Sequence, residues 1–308
     1  MFEKEDMFQL LKSAKTLFPI CIPSYKRWDR KDNKTMAKII EQSDAEVQEK
    51  TILFVRQEQE KEYRENYPNT KIVTLPHVNG LASTRQFVED YMFEVLHEPY
   101  FIDIDDDITS MKVVVLDNGK PRMSYANEVK TGDVLRLSCE IAKMAFEKHQ
   151  CVLGKPRRAH FANDIDNTQI AYITNKGATP RSVTYINAKE IRRRGIHRNM
   201  MFDPTGDDVG FVAEIGTKLG SMFNIPCISY SFVDDEINSV IRNDQNRRTL
   251  ARYEYECLLK YPFKDYMRIP FRYKDGLYKY SDIDFTKYRK ITGLKSHTVT
   301  IEEFLKNR

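Results

Sequence analysis

Short apolar runs alternate with longer helical patterns over the first hundred residues. The runs predict strands at residues 18–22, 51–55, 71–75 and 100–104, and the longer patterns predict helices at 34–42, 57–66 and 81–96. Strand and helix alternating at this spacing are typical of an α/β fold whose mixed, mainly parallel sheet is flanked by helices. Such sheets bind ligands at the carboxyl ends of their strands, so functional residues are expected there.

The regular alternation of predicted strands and helices ends at about residue 110. Apolar runs at 113–116 and 122–125 flank Asp117-Asn118-Gly119 and predict a β-hairpin, and a second hairpin is predicted between 169–174 and 182–185. Helices are predicted at 134–148, 188–194 and 207–219, and a late strand at 227–232. No repeat or clear linker interrupts the chain, so we expect one body over residues 1–237 and a C-terminal extension over 238–308.

Four carboxylates crowd the end of the predicted strand at 100–104. They are Asp103, Asp105, Asp106 and Asp107. Helix capping explains one or two of them, and a calcium loop is excluded because Ile108 stands where that loop needs glycine. Like charges this close repel unless a cation or hydrogen-bond donors hold them, so the cluster predicts a divalent metal site.

A second acidic pair, Asp207 and Asp208, begins a predicted amphipathic helix. Thr205 and Asp208 have the spacing of a capping box, and acids in a first helical turn also gain from the helix dipole. Capping needs only one carboxylate, and a carboxylate on a loop beside a metal site is suited to act as a general base. Asp208, or alternatively Asp207, is therefore the candidate base.

Basic residues follow two of the predicted strands. Pro23-Ser24-Tyr25-Lys26-Arg27 follows the first strand, and the segment 79–85, ending at Arg85, follows the third and opens a helix. Both groups should lie at the carboxyl edge, where helix N-termini attract phosphate.

Charge is distributed unevenly along the chain. The formal net charge is +4, but residues 241–308 carry 16 Lys or Arg against 9 Asp or Glu and hold eight of the 17 tyrosines. This composition favours either polyanion binding or a subdomain packed onto the body through its tyrosine rings. Lys155, Arg157 and Arg158 add positive charge, whereas the run 192–194 is more typical of a solvated helix face.

Several classes and locations are disfavoured. The five cysteines are odd in number and widely spaced, which favours reduced thiols in the cytoplasm, and neither a secretory segment nor an apolar run of membrane-spanning length is present. The six histidines show no metal-ligand spacing. A phosphate loop, a dinucleotide fingerprint and a nucleophile elbow are also missing, which argues against the kinases, dehydrogenases and hydrolases that use them.

Taken in order, these segments resemble a GT-A glycosyltransferase, which has a Rossmann-like fold. Residues 20–27 resemble the family's first strand and nucleotide loop, 80–85 its Gly-to-Arg helix start, 104–108 its DxD motif, 185–187 its acceptor-side stretch and 206–211 its acidic base motif. The resemblance implies a nucleotide-binding half at 18–110 and an acceptor half at 111–237.

The resemblance also implies roles for individual residues. Asp105 and Asp107 would hold Mn or Mg, and Asp208 or Asp207 would accept the proton of the acceptor hydroxyl. A nucleotide-sugar, expected to be a UDP-sugar, would contact Pro23, Ser24, Tyr25, Arg27, Arg85, Asp103, Asp105 and Asp106. Some members add a metal histidine near the C-terminus, but His297, the one histidine after residue 240, is not assigned that role.

The acceptor suggested by a fainter likeness is DNA. The chain resembles bacteriophage glycosyltransferases that modify hydroxymethylated pyrimidines, which implies a flipped 5-hydroxymethylcytosine as acceptor in the host cytoplasm. DNA contacts are then expected from Lys155, Arg157, Arg158 and Arg181. The alternative acceptor is a glycan, lipid or protein.

Two further classes compete with glycosyl transfer. A two-metal polymerase or nuclease would use acidic pairs, and Gly206-Asp207-Asp208 matches a polymerase palm motif, although that motif needs a hairpin and the pattern here is helical. A non-catalytic DNA-binding protein would explain the basic C-terminal part but not the carboxylates, which oppose phosphate binding.

Overall fold

The structure is a computed structural model. It describes residues 3–29, 31–78, 80–158, 169–174, 182–203, 205–233, 244–262, 264, 271–274, 277–280, 290 and 295–308. Its strands are β1 Ile20–Ser24, β2 Thr51–Arg56, β3 Lys71–Leu75, β4 Tyr100–Ile104, β5 Ile108–Asp117, β6 Lys120–Met123, β7 Cys151–Arg158, β8 Gln169–Thr174, β9 Val183–Asn187, β10 Ser221–Phe232, β11 Phe271–Lys274, β12 Leu277–Tyr280 and β13 His297–Thr300.

The α-helices are α1 Lys4–Ser13, α2 Ala45–Glu49, α3 Glu60–Asn66, α4 Leu81–Asp90, α5 Thr131–His149, α6 Ala188–Arg194, α7 Asp207–Thr217, α8 Asp244–Lys260 and α9 Ile301–Asn307. The helix predicted at 34–42 is a π-helical turn, Met36–Ile40, and a second π-helical turn, Tyr91–Val95, extends α4 to nearly the predicted length. Neither α1 nor α2 was predicted.

Eleven strands form one mixed sheet in the order β13-β8-β10-β7-β9-β4-β1-β2-β3, with β5 and β6 attached beside β10. The run β4-β1-β2-β3 is parallel throughout. Following the pairings outward, β5, β8 and β9 run against the other strands of this sheet. The predicted mixed, mainly parallel sheet is therefore confirmed.

The core lies on both faces of the sheet. One apolar cluster joins Leu10 of α1, Ile141 of α5 and Phe304 of α9 to the strands, and the other joins Val88 of α4 and Val212 of α7. Strands covered on both faces need a near-continuous apolar sequence. β2 is such a strand, since it is buried from Thr51 to Val55. The helices pack on the two faces of the sheet, and charged loops lie at its carboxyl edge.

One predicted hairpin is confirmed and the other is wrong. β5 and β6 pair antiparallel, and Asn118 and Gly119 between them have φ of 51° and 73°, as a two-residue hairpin turn of primed type requires. β8 pairs with β10 and β13, whereas β9 pairs with β4 and β7. The turn predicted for this second hairpin, at Asn175-Lys176-Gly177, lies outside the described residues.

The end of the chain returns to the main sheet. β13 pairs with β8, and Val299 and Phe304 are buried in the core. In α8, the side chain of Glu254 accepts a hydrogen bond from Thr205 at 2.7 Å. The division at residue 238 stays a prediction, and these contacts tie parts of 238–308 to the body. All five cysteines are buried and free, and none of the described helices has the length and apolar character to cross a bilayer.

Candidate active site

The aspartate cluster lies at the carboxyl edge of the parallel strands. β1 ends at Ser24 and β4 ends at Ile104, and because the two strands are parallel neighbours their following loops meet. Thr35 fixes the second loop: its hydroxyl donates to the Asp105 carbonyl at 2.5 Å and accepts from the Ile108 N–H at 2.9 Å. The expected convergence of the segment 23–27 with the cluster is therefore present.

Asp106 connects the two loops. Its Oδ2 accepts from the Ser24 hydroxyl at 2.6 Å, and its Oδ1 pairs with Arg27. Burial raises the pKa of Asp106, and the Arg27 charge opposes that rise. Both carboxylate oxygens have protein donors, so Asp106 positions the nucleotide loop and has little capacity to bind a cation.

The environment of the Asp107 carboxylate differs from that of Asp106. Its Oδ1 is buried without a hydrogen-bond partner among the described residues. Burial, together with the charges of Asp105 and Asp106, raises the pKa of Asp107 to about 7, and the charge of Arg27 opposes that rise. A buried carboxylate oxygen without a donor is costly, and a divalent cation shared with Asp105 would satisfy it. The oxygens present therefore fit Mn or Mg.

Arg85 joins both acidic groups of the sequence. Its guanidinium lies 3.2 Å from Asp103, 2.9 Å from Asp105 and 2.8 Å from Asp207. Burial alone would lower the pKa of Arg85, but the three carboxylates hold it well above the ordinary value. Burial raises the pKa of Asp103 to about 6. Arg85 therefore holds the DxD loop and the start of α7 together.

Two charged residues of the site were missed by sequence reasoning. Arg198 is 4% exposed; its Nη1 lies 2.9 and 2.8 Å from the two oxygens of Asp207, and its Nε donates to Glu89 at 2.8 Å. Burial raises the pKa of Glu89 to about 7 despite Arg198. Glu89 follows Arg85 by four residues on one helix, a spacing that could have indicated a shared face. The sequence around Arg198 contains no comparable spacing that relates it to Asp207 or Glu89.

The two carboxylates of the predicted base motif differ in environment. Asp207 is buried between Arg85 and Arg198; burial would raise its pKa, but the charges and hydrogen bonds of the two arginines hold it below the ordinary value. Asp208 is half-buried, and its Oδ1 accepts from the Val209 N–H at 2.9 Å. Both residues begin α7, so Gly206-Asp207-Asp208 does not lie in a palm hairpin.

The N-terminus of α4 is closed by protein groups. The Asp203 carbonyl accepts from the Leu81 N–H at 3.2 Å, and the Asp203 carboxylate accepts from the Ser83 N–H at 2.7 Å. Gly80 permits this approach, since a Cβ there would lie 2.0 Å from the Asp203 carbonyl oxygen. Asp203 therefore occupies two of the N–H donors at this helix N-terminus, and phosphate binding there stays a prediction.

A cavity of about 330 Å³ lies beside the nucleotide loop. Its lining comes from the ends of β2 and β3 and the residues after them: Arg56, Gln57, Glu58, Leu75, Pro76, His77 and Val78. The guanidinium of Arg56 lies 4.4 Å from the ring centroid of Tyr25, and Lys26 lies on the same ring. Pro23, within β1, is half-buried. Of the predicted donor residues, Tyr25 therefore contacts this cavity through Arg56, and the lining itself contains none of them.

Three of the four residues predicted to contact DNA lie on one strand. Lys155, Arg157 and Arg158 belong to the carboxyl-terminal half of β7, which runs in the same direction as β4. The guanidinium of Arg158 lies 4.4 Å from the Phe232 ring centroid. Burial raises the pKa of Tyr230, and its hydrogen bond with Arg158 opposes that rise. Arg181 lies outside the described residues. The three described residues therefore share the edge that carries the aspartate cluster.

Comparison with known proteins gives one family match. Residues 18–144 match the family model described as TET-associated glycosyltransferase, a segment that contains the nucleotide loop, Arg85 and the aspartate cluster. The matched segment is similar to a family of glycosyltransferases, the class that the order of the motifs predicted. The match covers less than half of the chain, and no curated protein matches it.

Solved structures with a similar fold were also found. Residues 1–349 of TarS from S. aureus share 10% identity over 77% of this chain, with a TM-score of 0.40. GalNAc-T7 with UDP, GalNAc and Mn²⁺ shares 13% over 71% of this chain and 44% of its own, with a TM-score of 0.44. Glucosyl-3-phosphoglycerate synthase from Mycobacterium tuberculosis, with Mn²⁺, UDP and phosphoglyceric acid, shares 8% over 92% and 91%, with a TM-score of 0.41. The chain spans 65% of the TarS fragment.

Proposed function

We propose that this glycosyltransferase transfers a sugar from a UDP-sugar to an acceptor hydroxyl with the help of Mn or Mg. The observation that carries the proposal is the buried Asp107 oxygen, which has no hydrogen-bond partner among the described residues and lies in a loop shared with Asp105. Asp105 and Asp107 would hold the cation. When bound, it would neutralise charge on the leaving diphosphate.

The protein's own residues prepare the donor site. Asp106 fixes the loop after β1 through Ser24 and Arg27, and Arg85 holds Asp105 and Asp103 in place. The cavity beside Tyr25 and Arg56 is large enough to take part of a nucleoside. These fixed contacts reduce the cost of ordering the site when a donor binds.

Asp208 is the proposed general base. As the acceptor oxygen bonds to the anomeric carbon, the bond from that carbon to the diphosphate breaks, the electron pair leaves with UDP, and the hydroxyl proton passes to Asp208. Asp207 is less suited, because two arginines already bind its oxygens and hold its pKa low. Asp207 instead positions the start of α7.

The proposed acceptor is 5-hydroxymethylcytosine in DNA. Lys155, Arg157 and Arg158 on β7 provide positive charge at the site's edge of the sheet, which suits a phosphate backbone. A flipped base would bring its hydroxymethyl group to the site. Arg181 and the basic C-terminal residues would add contacts. A glycan, lipid or protein acceptor is the alternative.

Calorimetric titration with a panel of UDP-sugars, with and without Mn²⁺, tests the donor half of the proposal. Binding of one donor only in the presence of Mn²⁺ is expected, and absence of binding to every donor would overturn it. That donor is then incubated with duplexes that contain 5-hydroxymethylcytosine or cytosine. A mass increase of one sugar only on the modified duplex is expected. Turnover with glycans alone would reject the DNA acceptor and keep the donor site.

A further inference from the structure

Three side chains from separate segments converge far from the aspartate cluster. His149 ends α5, His297 begins β13, and Glu303 lies in the first turn of α9. Their potential ligand atoms all lie within 4.8 Å of one another. His297 Nε2 is 3.3 Å from Glu303 Oε1, and the two imidazole ring centroids are 5.2 Å apart.

This group lies at the opposite edge of the sheet from the proposed active site. β7 begins at Cys151, two residues after His149, and both β7 and β13 run in the same direction as β4. The starts of β7 and β13 therefore lie at the amino edge, whereas the aspartate cluster follows the carboxyl end of β4. A cation here could not take part in the proposed sugar transfer.

The helix cap leaves the Glu303 carboxylate available. The backbone N–H of Glu303 donates to the Thr300 hydroxyl at 3.2 Å, as in a capping box. The carboxylate meets His297 instead of completing the box. Its position beside an imidazole is therefore not explained by capping.

Two adjacent imidazoles are unfavourable when both carry a proton. A neutral imidazole has a nitrogen lone pair that can bind a metal. A shared cation could therefore bind a nitrogen of each imidazole and an oxygen of the Glu303 carboxylate.

We propose that His149, His297 and Glu303 form a binding site for a divalent transition metal, with Zn²⁺ as the preferred ion. Two imidazole nitrogens and one carboxylate oxygen are a donor set that suits zinc, whereas the oxygen-only aspartate cluster suits Mg or Mn. A solvent molecule would complete four-coordination. The two sites therefore differ in position and in metal preference.

The site would pin the end of the chain to the body. β13 pairs with β8 at one end of the sheet, and α9 is held by buried Phe304 and by Arg308, which lies 2.7 Å from Glu140 of α5. A bound ion would connect the end of α5 directly to β13 and α9. Because zinc would bind this site only in the folded protein, it should raise the midpoint temperature of thermal unfolding.

The test is a zinc titration of untagged protein against a chromophoric indicator. One equivalent is expected to bind, and Co²⁺ in its place should show visible d–d absorption. His149→Gln and His297→Gln should each lose the site and the zinc-dependent rise in thermal midpoint. His97→Asn is the matched control, because His97 is exposed elsewhere with φ of 57°, which asparagine tolerates. The His97→Asn variant should keep both the zinc site and the zinc-dependent rise in thermal midpoint.

The same titration of Asp107→Asn separates this site from the aspartate cluster. Undiminished zinc binding in that variant is expected. Absence of stoichiometric binding to the wild-type protein would overturn the proposal, as would binding that survives in both histidine variants. Circular dichroism of each variant checks that the loss does not come from unfolding.

Discussion

Arg198 and Asp207 form an ion pair inside the protein, with Nη1 2.9 and 2.8 Å from the two carboxylate oxygens and each side chain only 2% exposed. Asp207 also binds Arg85, which in turn binds Asp105. A continuous chain of charges therefore runs from Arg198 to the proposed metal ligand.

Arg198→Met should lower the free energy of unfolding by about 3–5 kcal/mol, because it leaves Asp207 and Glu89 buried with one cation fewer. Denaturant unfolding measures this change. Arg252→Met is the matched control, because Arg252 pairs with Glu256 on the exposed face of α8 and its loss should change stability little. Equal effects of the two substitutions would contradict the buried charge chain.

Asp107→Asn should abolish Mn-dependent binding of the UDP-sugar, because the amide removes the negative oxygen proposed to bind the cation. Calorimetry measures the binding, and circular dichroism should show an intact fold. The control is Asp6→Asn on the exposed face of α1. Donor affinity equal to that of the control would reject Asp107 as a ligand.

Asp208→Asn should reduce turnover by roughly 10²–10⁴-fold, the usual contribution of a general base, with donor affinity unchanged. Steady-state kinetics and calorimetry measure the two quantities. Asp207→Asn should instead lower stability, since it weakens the pairs with Arg85 and Arg198. Full turnover in Asp208→Asn would move the base elsewhere.

Gly80→Ala should weaken donor binding, because the new Cβ would lie 2.0 Å from the Asp203 carbonyl oxygen and must displace the start of the helix that carries Arg85. The control is Gly119→Ala, where φ is +73° and no atom lies within 4 Å of the added Cβ. It should cost about 1–2 kcal/mol of stability through backbone strain and leave donor affinity unchanged. Unchanged affinity in both variants would contradict the role of this approach.

Glu89→Gln should change the pH dependence of stability. The pKa of Glu89 is about 7 in the folded protein, above its ordinary value, so the unfolded state loses this proton first as pH rises. The Glu89 contribution therefore favours the folded state below about pH 4 and declines up to about pH 7, by up to about 1.4 kcal/mol per pH unit. Glutamine cannot ionise, so the variant should gain stability relative to wild type over that range. Parallel curves from denaturant unfolding would refute this.

Much of the local structure follows from the sequence alone. Strands β3, β4 and β8 and helix α6 have the predicted bounds, because periodicity and turn residues act over a few neighbours. The position of the aspartate cluster at the carboxyl end of β4 follows from the same patterns. The class of protein was also visible in the order of its motifs, and the family match bears it out.

Tertiary structure alone decided which distant residues meet. The partners of β8 and β9 depend on packing across the whole sheet, which no local turn signal encodes. Arg198 met Glu89 and Asp207, and His149 met His297 across 148 positions of the chain, because the fold brings separate segments to one place. Residue spacing describes neighbours within one element, so charge networks and ligand sets built from several elements appear only when the chain is folded.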